Sequence, residues 1–281
     1  MKNLLFVLAF CACNILPVSG QNTVVMEYGE HPFKDGEELH YRIYYSAPLV
    51  RAAVADAVLS VDNVVVDGSD HYQFKGFGKT RPFFNLFYKL EDTYISNVDA
   101  VTLKPQKVTN FMREGSFVYD QTFNFDWNNG VVKTKGHNVN RDTWSRKSMS
   151  LLPRSFDGLS LFYNLRCLDL TKIKKGDEFK MDLVLEDTIR NITMRFRGRE
   201  ELEVDDLGKF KTMRFDCQFA TSTEDAFDDG DEFFLWITDD KNKIPVYVKS
   251  PIKVGSVTVK LTSWKGLANP LYVIYDEGED A

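Results

Sequence analysis

Residues 117–135, FVYDQTFNFDWNNGVVKTK, contain the pattern that decides the fold. Between residues 117 and 127, mostly aromatic side chains alternate with smaller or polar ones, which places the two kinds on opposite faces of a β-strand. The Asn-Asn-Gly sequence at residues 128–130 is typical of a tight hairpin turn, because Asn and Gly tolerate positive φ. Residues 131–135 form the return strand, so this stretch predicts an antiparallel hairpin.

Period-two alternation is also found along most of the remaining chain. The further segments predicted as strands are residues 39–45, 54–66, 72–77, 179–185, 189–196, 199–204, 210–219, 233–238, 245–249 and 254–264. Short turns rich in Gly, Asp and Asn separate them, which favours antiparallel neighbours over βαβ crossovers. We therefore predict an all-β protein with one packed helix. It is built on a large curved antiparallel sheet or open barrel, with a β-sandwich as the alternative.

One segment, residues 157–168, has a helical pattern instead. Asp157 can cap its first turn, and apolar residues then recur at helical spacing. They cover two sides of the helix: Leu159, Phe162, Tyr163 and Cys167 on one, and Leu161, Leu165 and Leu168 on the other. A helix that is apolar on most faces is usually buried. We therefore expect a helix that plugs the sheet, with Phe162 and Leu165 in the core and a cost of about 2–5 kcal/mol for truncating either to Ala.

The first 20 residues have the features of a cleaved signal peptide. Lys2 supplies the positive charge, residues 4–12 are apolar, and Val18-Ser19-Gly20 fits a cleavage site. The apolar run is about nine residues long, against the roughly 20 that a membrane-spanning helix needs. The sequence therefore predicts an exported protein, periplasmic or secreted, with residues 21–281 as a single β-rich domain and no transmembrane span.

A lipoprotein is the alternative for the mature N-terminus. Residues 10–13, Phe-Cys-Ala-Cys, loosely match a lipoprotein signal, and lipid attachment at Cys13 would anchor the chain to a membrane. At the other end, the acidic residues 276–281 are expected to be disordered.

The composition narrows the classes of function. The chain has 41 acidic and 35 basic residues and a formal net charge of −6, which argues against a nucleic-acid partner. Two cysteines lie outside the signal peptide, Cys167 and Cys217. They either pair in a disulfide, as exported proteins allow, or are small buried apolar groups. The sequence has no CxxC motif, so thioredoxin-type redox chemistry is not expected.

The sequence contains no motif of a known catalytic or metal site. Its four histidines do not have the HxH or HExxH spacing of a metal site, and the GxSxG elbow of α/β-hydrolases is missing. We therefore predict no catalytic residue and no cofactor. The acidic segment at residues 224–232 offers Asp228, Asp229 and Asp231 as calcium ligands. Its spacing is not that of an EF-hand, and a solvated loop is the other interpretation.

The most unusual stretch is the aromatic run at residues 83–88, Phe-Phe-Asn-Leu-Phe-Tyr, directly after Pro82. Proline cannot donate a ladder hydrogen bond, so the run is expected at a turn or rim of the sheet. It either packs in the core or forms an apolar ligand cavity or membrane-contacting lip, and Arg81 and Lys89 could meet anionic head groups. We expect the helix to cover most of it and one or two rings to line the mouth of a cavity. The candidate ligand-binding residues are Phe83, Phe84, Phe87 and Tyr88.

Several short pieces, in order along nearly the whole mature chain, resemble one protein family. They are residues 36–41, residues 83–89 with Asp92 and Tyr94, Asp99 with residues 102–105, and residues 113–115, 157–166, 208–210, 236–246 and 255–257. The family is a group of bacterial exported proteins known only as domain of unknown function 3108. The resemblance implies an exported envelope protein and assigns no catalytic residue. One departure is Gly158, where the family pattern has proline, and both residues suit the start of a helix.

These observations favour a non-enzymatic function. A curved sheet capped by a helix readily forms an apolar cavity. The leading expectation is therefore a cell-envelope protein that binds a hydrophobic or amphiphilic ligand, such as a lipid or an apolar small molecule, or an envelope partner protein. The alternative is a periplasmic hydrolase that uses two carboxylates in a cleft. Two facing carboxylates with raised pKa values in a polar groove would favour the hydrolase.

Overall fold

The computed structural model describes residues 30–219 and 232–274. In these ranges fifteen strands form a single sheet, in the order β8-β7-β6-β5-β4-β3-β2-β1-β15-β14-β13-β12-β11-β10-β9. The strands are β1 (Glu37–Ala47), β2 (Val50–Val66), β3 (Ser69–Thr80), β4 (Glu91–Asp99), β5 (Pro105–Glu114), β6 (Phe117–Asp126), β7 (Val131–Asn138), β8 (Thr143–Ser150), β9 (Ser155–Phe156), β10 (Glu178–Val184), β11 (Ile189–Val204), β12 (Gly208–Phe219), β13 (Glu232–Thr238), β14 (Pro245–Pro251) and β15 (Ser256–Lys265). Outside the described residues lie the predicted signal peptide, Cys13, the calcium candidates Asp228, Asp229 and Asp231, and the acidic tail.

The sheet has two arms that meet at β1. Along the first arm the chain runs from β1 to β8 by successive hairpins, and along the second it returns from β9 to β15, which pairs with β1. Neighbouring strands of the described sheet are antiparallel, except β9 and β10, which are parallel. The predicted fold class, a large open antiparallel sheet with a packed helix, is therefore confirmed.

The stretch at residues 117–135 becomes strands β6 and β7, as its pattern predicts. Phe123 and Phe125 are buried on one face and pair in register with Thr134 and Val132. Gly130 closes the turn at φ +63°, a conformation that glycine adopts without strain. Four strands were not predicted: β4, β5, β8 and β9. Strand β8, TWSRKSMS, is exposed along nearly its whole length, so its sequence has no period-two pattern to detect.

The sheet curves around helix α1 (Gly158–Arg166), and the face toward this helix is termed the inner face. The helix contacts β3 and β4 on one arm and β9 and β10 on the other. Because these strands are far apart in the sheet order, the sheet must bend around the helix. Val184 and Ile189 of the second arm also pack against Val108 and Phe123 of the first. An interior therefore lies between the two arms.

Hairpin turns alternate between two ends of the sheet. The upper end carries the β1–β2, β3–β4, β5–β6 and β14–β15 turns, and the lower end carries the β2–β3, β4–β5 and β13–β14 turns. Helix α1 reaches the lower end. The Asn164 amide donates to the carbonyl of Leu103 in the β4–β5 turn (3.1 Å), and Arg166 donates to the carbonyl of Asn242 in the β13–β14 turn (2.9 Å). The helix therefore closes the lower end of the interior.

Cys167 and Cys217 are free, buried cysteines. They belong to different hydrophobic clusters, Cys167 with Tyr163 and Cys217 with Phe215, and form no disulfide with each other. Burial raises the pKa of the Cys167 thiol to about 12 and that of Cys217 well above its usual value. Across residues 30–219 and 232–274, no helix has the length and apolar character that crossing a membrane requires.

Candidate functional site

Helix α1 has an unusual distribution of side chains. Its fully buried residues are mostly polar: Ser160, Tyr163, Asn164 and Arg166. Its large aliphatic and aromatic residues pack against hydrophobic core clusters but are only partly buried: Leu159, Leu161, Phe162 and Leu165. A helix packed on a core normally has the reverse arrangement. Phe162 and Leu165, which we expected in the core, do pack against core clusters, but both side chains keep part of their surface in solvent.

Hydrogen bonds explain why the polar side of the helix is the buried one. The Asp157 carboxylate accepts from the backbone N–H of Leu159 (3.0 Å) and from the Ser96 hydroxyl on β4 (2.7 Å), and burial raises its pKa. At the other end of the helix, Arg166 donates to both carboxylate oxygens of Glu37 (Nη1–Oε1 2.5 Å, Nη2–Oε2 3.0 Å). Both members of this ion pair are buried. These bonds fix the side of the helix that faces the sheet.

Apolar side chains also line the inner face of the sheet. Five of them lie in register across five adjacent strands, β13, β14, β15, β1 and β2: Leu235, Val248, Val259, Ile43 and Ala55. Several inner-face positions are only partly buried: Ala57, Leu59, Val248 and Val259. These positions lie inside the curve of the sheet, pack against core clusters and keep part of their apolar surface in solvent.

The aromatic run lies at the upper end, in the β3–β4 connection, which we name the rim loop (residues 81–90). Residues Phe84–Leu86 form a 3₁₀ turn, and the backbone N–H of Arg81 donates to the carbonyl of Val54 on β2 (2.9 Å). The exposed large apolar side chains of the loop are Phe83 (65%), Leu86 (81%) and Phe87 (75%). Helix α1 therefore does not cover most of the run, in contrast to our expectation.

The candidate ligand-binding residues of the rim loop have different surroundings. Phe83 contacts the rings of Phe84 and Phe87, with centroid distances of 5.3 and 5.7 Å. Tyr88 points toward the inner face, where its hydroxyl donates to the Glu114 carboxylate (3.0 Å), and burial raises its pKa. The loop therefore connects an exposed aromatic tip with the mouth of the interior. Ligand binding by these residues stays a prediction.

Two buried carboxyl groups lie beneath the rim loop, Asp92 on β4 and Glu114 on β5. Asp92 accepts from the backbone N–H of Arg113 (2.8 Å) and from the Tyr94 hydroxyl (3.3 Å). Burial, and after it the neighbouring Glu114 carboxylate, raises the pKa of Asp92 to about 6. This pair was not predicted from the sequence. The sequence did contain a clue to Asp92. It is the first of the alternating residues of β4 that face inward, followed by Tyr94, Ser96 and Val98.

The chemistry available to this pair is proton exchange. Two neighbouring carboxyl groups, one with a pKa near neutrality, can hold and release a proton around that pH. Their oxygens accept from Tyr88, Tyr94 and a backbone N–H, and both groups are shielded from solvent. Within the part of the chain that the structure describes, no three His, Cys, Asp or Glu side chains form a group that could hold a metal ion.

Comparisons with known proteins agree with this architecture. The profile of the family described as "Protein of unknown function (DUF3108)" matches residues 40–262. Among solved structures, the chain is similar to a β-barrel-like protein of domain of unknown function DUF1849 from Brucella abortus, with a TM-score of 0.56 and 11% sequence identity. That alignment covers 88% of this chain and 100% of the other, and at this identity it shows a shared fold alone. No curated protein matches the chain.

Proposed function

This chain belongs to the DUF3108 family, whose function is unknown, and we propose that it is a non-enzymatic binding protein for a hydrophobic or amphiphilic ligand. The ligand's hydrocarbon part would lie in the interior between the two arms of the sheet. We further propose that the protein acts in the periplasm or outside the cell, because its first 20 residues have the features of a signal peptide.

The orientation of helix α1 is the observation that carries this proposal. Hydrogen bonds at both ends hold the polar side of the helix against the sheet, so Leu161, Phe162 and Leu165 stay partly exposed. Apolar surface left in water forgoes about 25 cal/mol per Å² of burial. A hydrocarbon chain between this helix face and the Val248 and Val259 wall would remove that surface from water. Ligand binding in the interior would therefore explain why these side chains of the helix stay partly exposed.

The two ends of the interior favour an amphiphile over a purely apolar molecule. Helix α1 and the buried Arg166–Glu37 pair close the lower end. The hydrocarbon part would therefore enter from the upper end and leave its polar group at the mouth. Lys89 of the rim loop is exposed there, whereas Arg81 is paired with Asp56, so an anionic or zwitterionic head group would find a cation close by.

A polyene fatty acid that fluoresces in apolar surroundings tests the interior directly. We expect saturable binding by the purified protein, and loss of that binding in the variant Ala57→Trp, whose indole would fill the interior. Val58→Trp is the matched control, because residue 58 neighbours residue 57 on the same strand and faces the opposite side of the sheet. Equal binding by both variants, with unchanged melting temperatures, would place the probe elsewhere.

The rim loop candidates have a separate test. The variant Phe84→Ser/Phe87→Ser should weaken binding of the fatty acid more than it lowers stability, because Phe87 is exposed and Phe84 only partly buried. Urea unfolding measured on the same samples separates the two effects. A variant that simply unfolds, or one that binds the probe as the parent does, removes these residues from the ligand site.

Hydrolysis is the second candidate function, and the Asp92–Glu114 pair is the observation that favours it. A pKa of about 6 on one of two neighbouring carboxyl groups is typical of an acid–base pair. The burial of both groups counts against it, because a substrate would first have to displace Tyr88 from Glu114. If Glu114→Gln abolishes hydrolysis of a panel of chromogenic esters and glycosides that the parent protein cleaves, the binding proposal is replaced by this one.

A further inference from the structure

We propose that the upper end of the protein docks on the surface of a lipid bilayer, with the rim loop inserted among the lipid head groups. The inference rests on the proposed function, because the bilayer would be the source or the destination of the amphiphile. It concerns different residues from those that line the interior, so the two proposals can fail independently.

Exposed apolar side chains project from neighbouring turns at the upper end. Leu86 and Phe87 form the tip of the rim loop, and Leu49 in the β1–β2 turn is 96% exposed. Val254 in the β14–β15 turn is exposed as well, and the hydroxyl of Tyr45 donates to its carbonyl (3.1 Å), which fastens that turn to β1. These side chains lie on protruding turns, which matches insertion into a soft, apolar layer.

The rim loop presents its tip in a fixed conformation. The hydroxyl of Thr80 donates to the side-chain carbonyl of Asn85 (2.5 Å), and the backbone N–H of Tyr88 donates to the carbonyl of Phe84 (2.8 Å). The ring of Tyr88 also fits against Gly115, where an added Cβ would lie 3.5 Å from it. Because the aromatic tip is already ordered, insertion would cost little conformational entropy.

Exposed lysines lie near the apolar tip. Lys89 belongs to the rim loop, Lys253 lies beside Val254, and Lys79, just before the loop, is in register with Asp56 and Glu91 on the neighbouring strands. Arg81 forms an ion pair with Asp56 (3.1 Å) and adds no free cation. Apolar side chains beside exposed lysines match the layering of a phospholipid surface, where phosphate groups lie above the hydrocarbon. This charge pattern is the reason to choose a bilayer as the partner over a second copy of the chain.

The position of the tip relative to the interior supports the same partner. Tyr88 belongs to the rim loop, yet its hydroxyl is bonded to Glu114 on the inner face. The loop that would touch the bilayer therefore forms part of the mouth through which an amphiphile would enter. A protein docked in this way could take up a ligand without exposing its hydrocarbon chain to water.

Vesicle flotation of the purified protein tests the docking. The vesicles contain phosphatidylcholine with or without phosphatidylglycerol, and the test variant is Leu49→Ser/Leu86→Ser. Neither residue is among the candidates for ligand contact. The matched control is Val65→Ser/Val101→Ser, because both valines are strongly exposed apolar residues (70% and 86%) at the lower end.

We expect the parent and the control to float with the vesicles. The Leu49→Ser/Leu86→Ser variant should bind the vesicles at least about tenfold more weakly than the parent. Lys79→Gln/Lys89→Gln should weaken binding further when phosphatidylglycerol is present. The Leu49→Ser/Leu86→Ser variant should still bind the soluble fatty acid probe, and Ala57→Trp should still float. Equal flotation of test and control variants would overturn the proposal. The proposal would also be overturned if the parent does not float but forms a dimer, and the test variant does not form that dimer. The tip would then bind a second copy of the chain.

Discussion

Replacement of Arg166 by Met tests whether the lower end is held as described. The guanidinium group donates to both carboxylate oxygens of Glu37 and to the carbonyls of Asn242 (2.9 Å) and Pro32 (3.3 Å). It thereby connects helix α1 with β1, with the segment that precedes β1 and with the β13–β14 turn. Met is of similar length but has no donor, so the variant leaves a buried carboxylate and two carbonyl groups without their partner.

The size of the effect follows from the burial of the pair. Removing one partner of a buried ion pair costs about 3–5 kcal/mol, because the other charge stays in a medium of low polarity. The loss of the carbonyl hydrogen bonds adds about 1–3 kcal/mol. We therefore expect Arg166→Met to lower the free energy of unfolding by about 5 kcal/mol. In the double variant Glu37→Leu/Arg166→Met no charge is left unpaired, and a loss of about 1–3 kcal/mol should remain.

Urea unfolding of the parent, both single variants and the double variant forms a double-mutant cycle. The double variant should be more stable than either single variant. If the two single losses simply add in the double variant, or if Arg166→Met costs less than about 1 kcal/mol, the pair does not hold the lower end.

The remaining predictions concern the acidic pair, the helix and the two cysteines. The raised pKa of Asp92 means that the folded state binds a proton more tightly than the unfolded chain, where the value is near 3.8. Stability should therefore fall, by up to about 3 kcal/mol, as pH rises from about 4 through 6; Asp92→Asn should flatten this part of a plot of Tm against pH, and an unchanged plot would contradict the assignment. Tyr163→Ala should cost about 3–5 kcal/mol and Phe162→Ala less than about 2 kcal/mol in urea unfolding, so equal losses would contradict the orientation of helix α1. Because burial raises the pKa values of both thiols, Cys167 and Cys217 should react with a maleimide only after unfolding; mass spectrometry of the native protein would refute this by showing rapid labelling.

Features of the fold that depend on residues close together in the sequence could be predicted from the sequence. Alternation in residues 117–127 sufficed for the β6–β7 hairpin, because one face of each strand meets the core and the other meets solvent. Asp157 gave the start of helix α1 correctly, since a cap acts on the residues directly after it. Strand β8 was not predicted, because it has no buried face and therefore no alternating pattern. The pairing of β1 with β15 is a long-range contact, and no local pattern specifies it.

The candidate site was less accessible, because its parts come together only in the folded chain. The rim loop was singled out for its aromatic residues, yet its exposure depends on where the helix lies. Arg166 looks like an ordinary last-turn cation of a helix, and only contact with Glu37, 129 residues away, makes it buried. Asp92 and Glu114 come together through the pairing of β4 with β5, and neither of these strands was predicted from the sequence. A polar residue at the inner-face position of a strand was the available clue.

Helix α1 is the place where local pattern and global structure disagree most clearly. Its sequence favours burial of Leu161, Phe162 and Leu165, yet the fold buries Arg166 and Asn164. Burying a charged group requires a matching partner and good geometry, and Glu37 supplies both. The apolar surface that these apolar side chains leave in solvent contributes nothing to the stability of the free protein. Sequences that violate a local rule usually do so at a functional site. The same argument applies to the rim loop, where Phe83, Leu86 and Phe87 are held in solvent by an ordered turn. Both sets of apolar side chains border the interior, those of helix α1 at its closed lower end and those of the rim loop at its mouth. A ligand in the interior would bury the side chains of the helix. A bilayer that supplies this ligand would bury those of the rim loop.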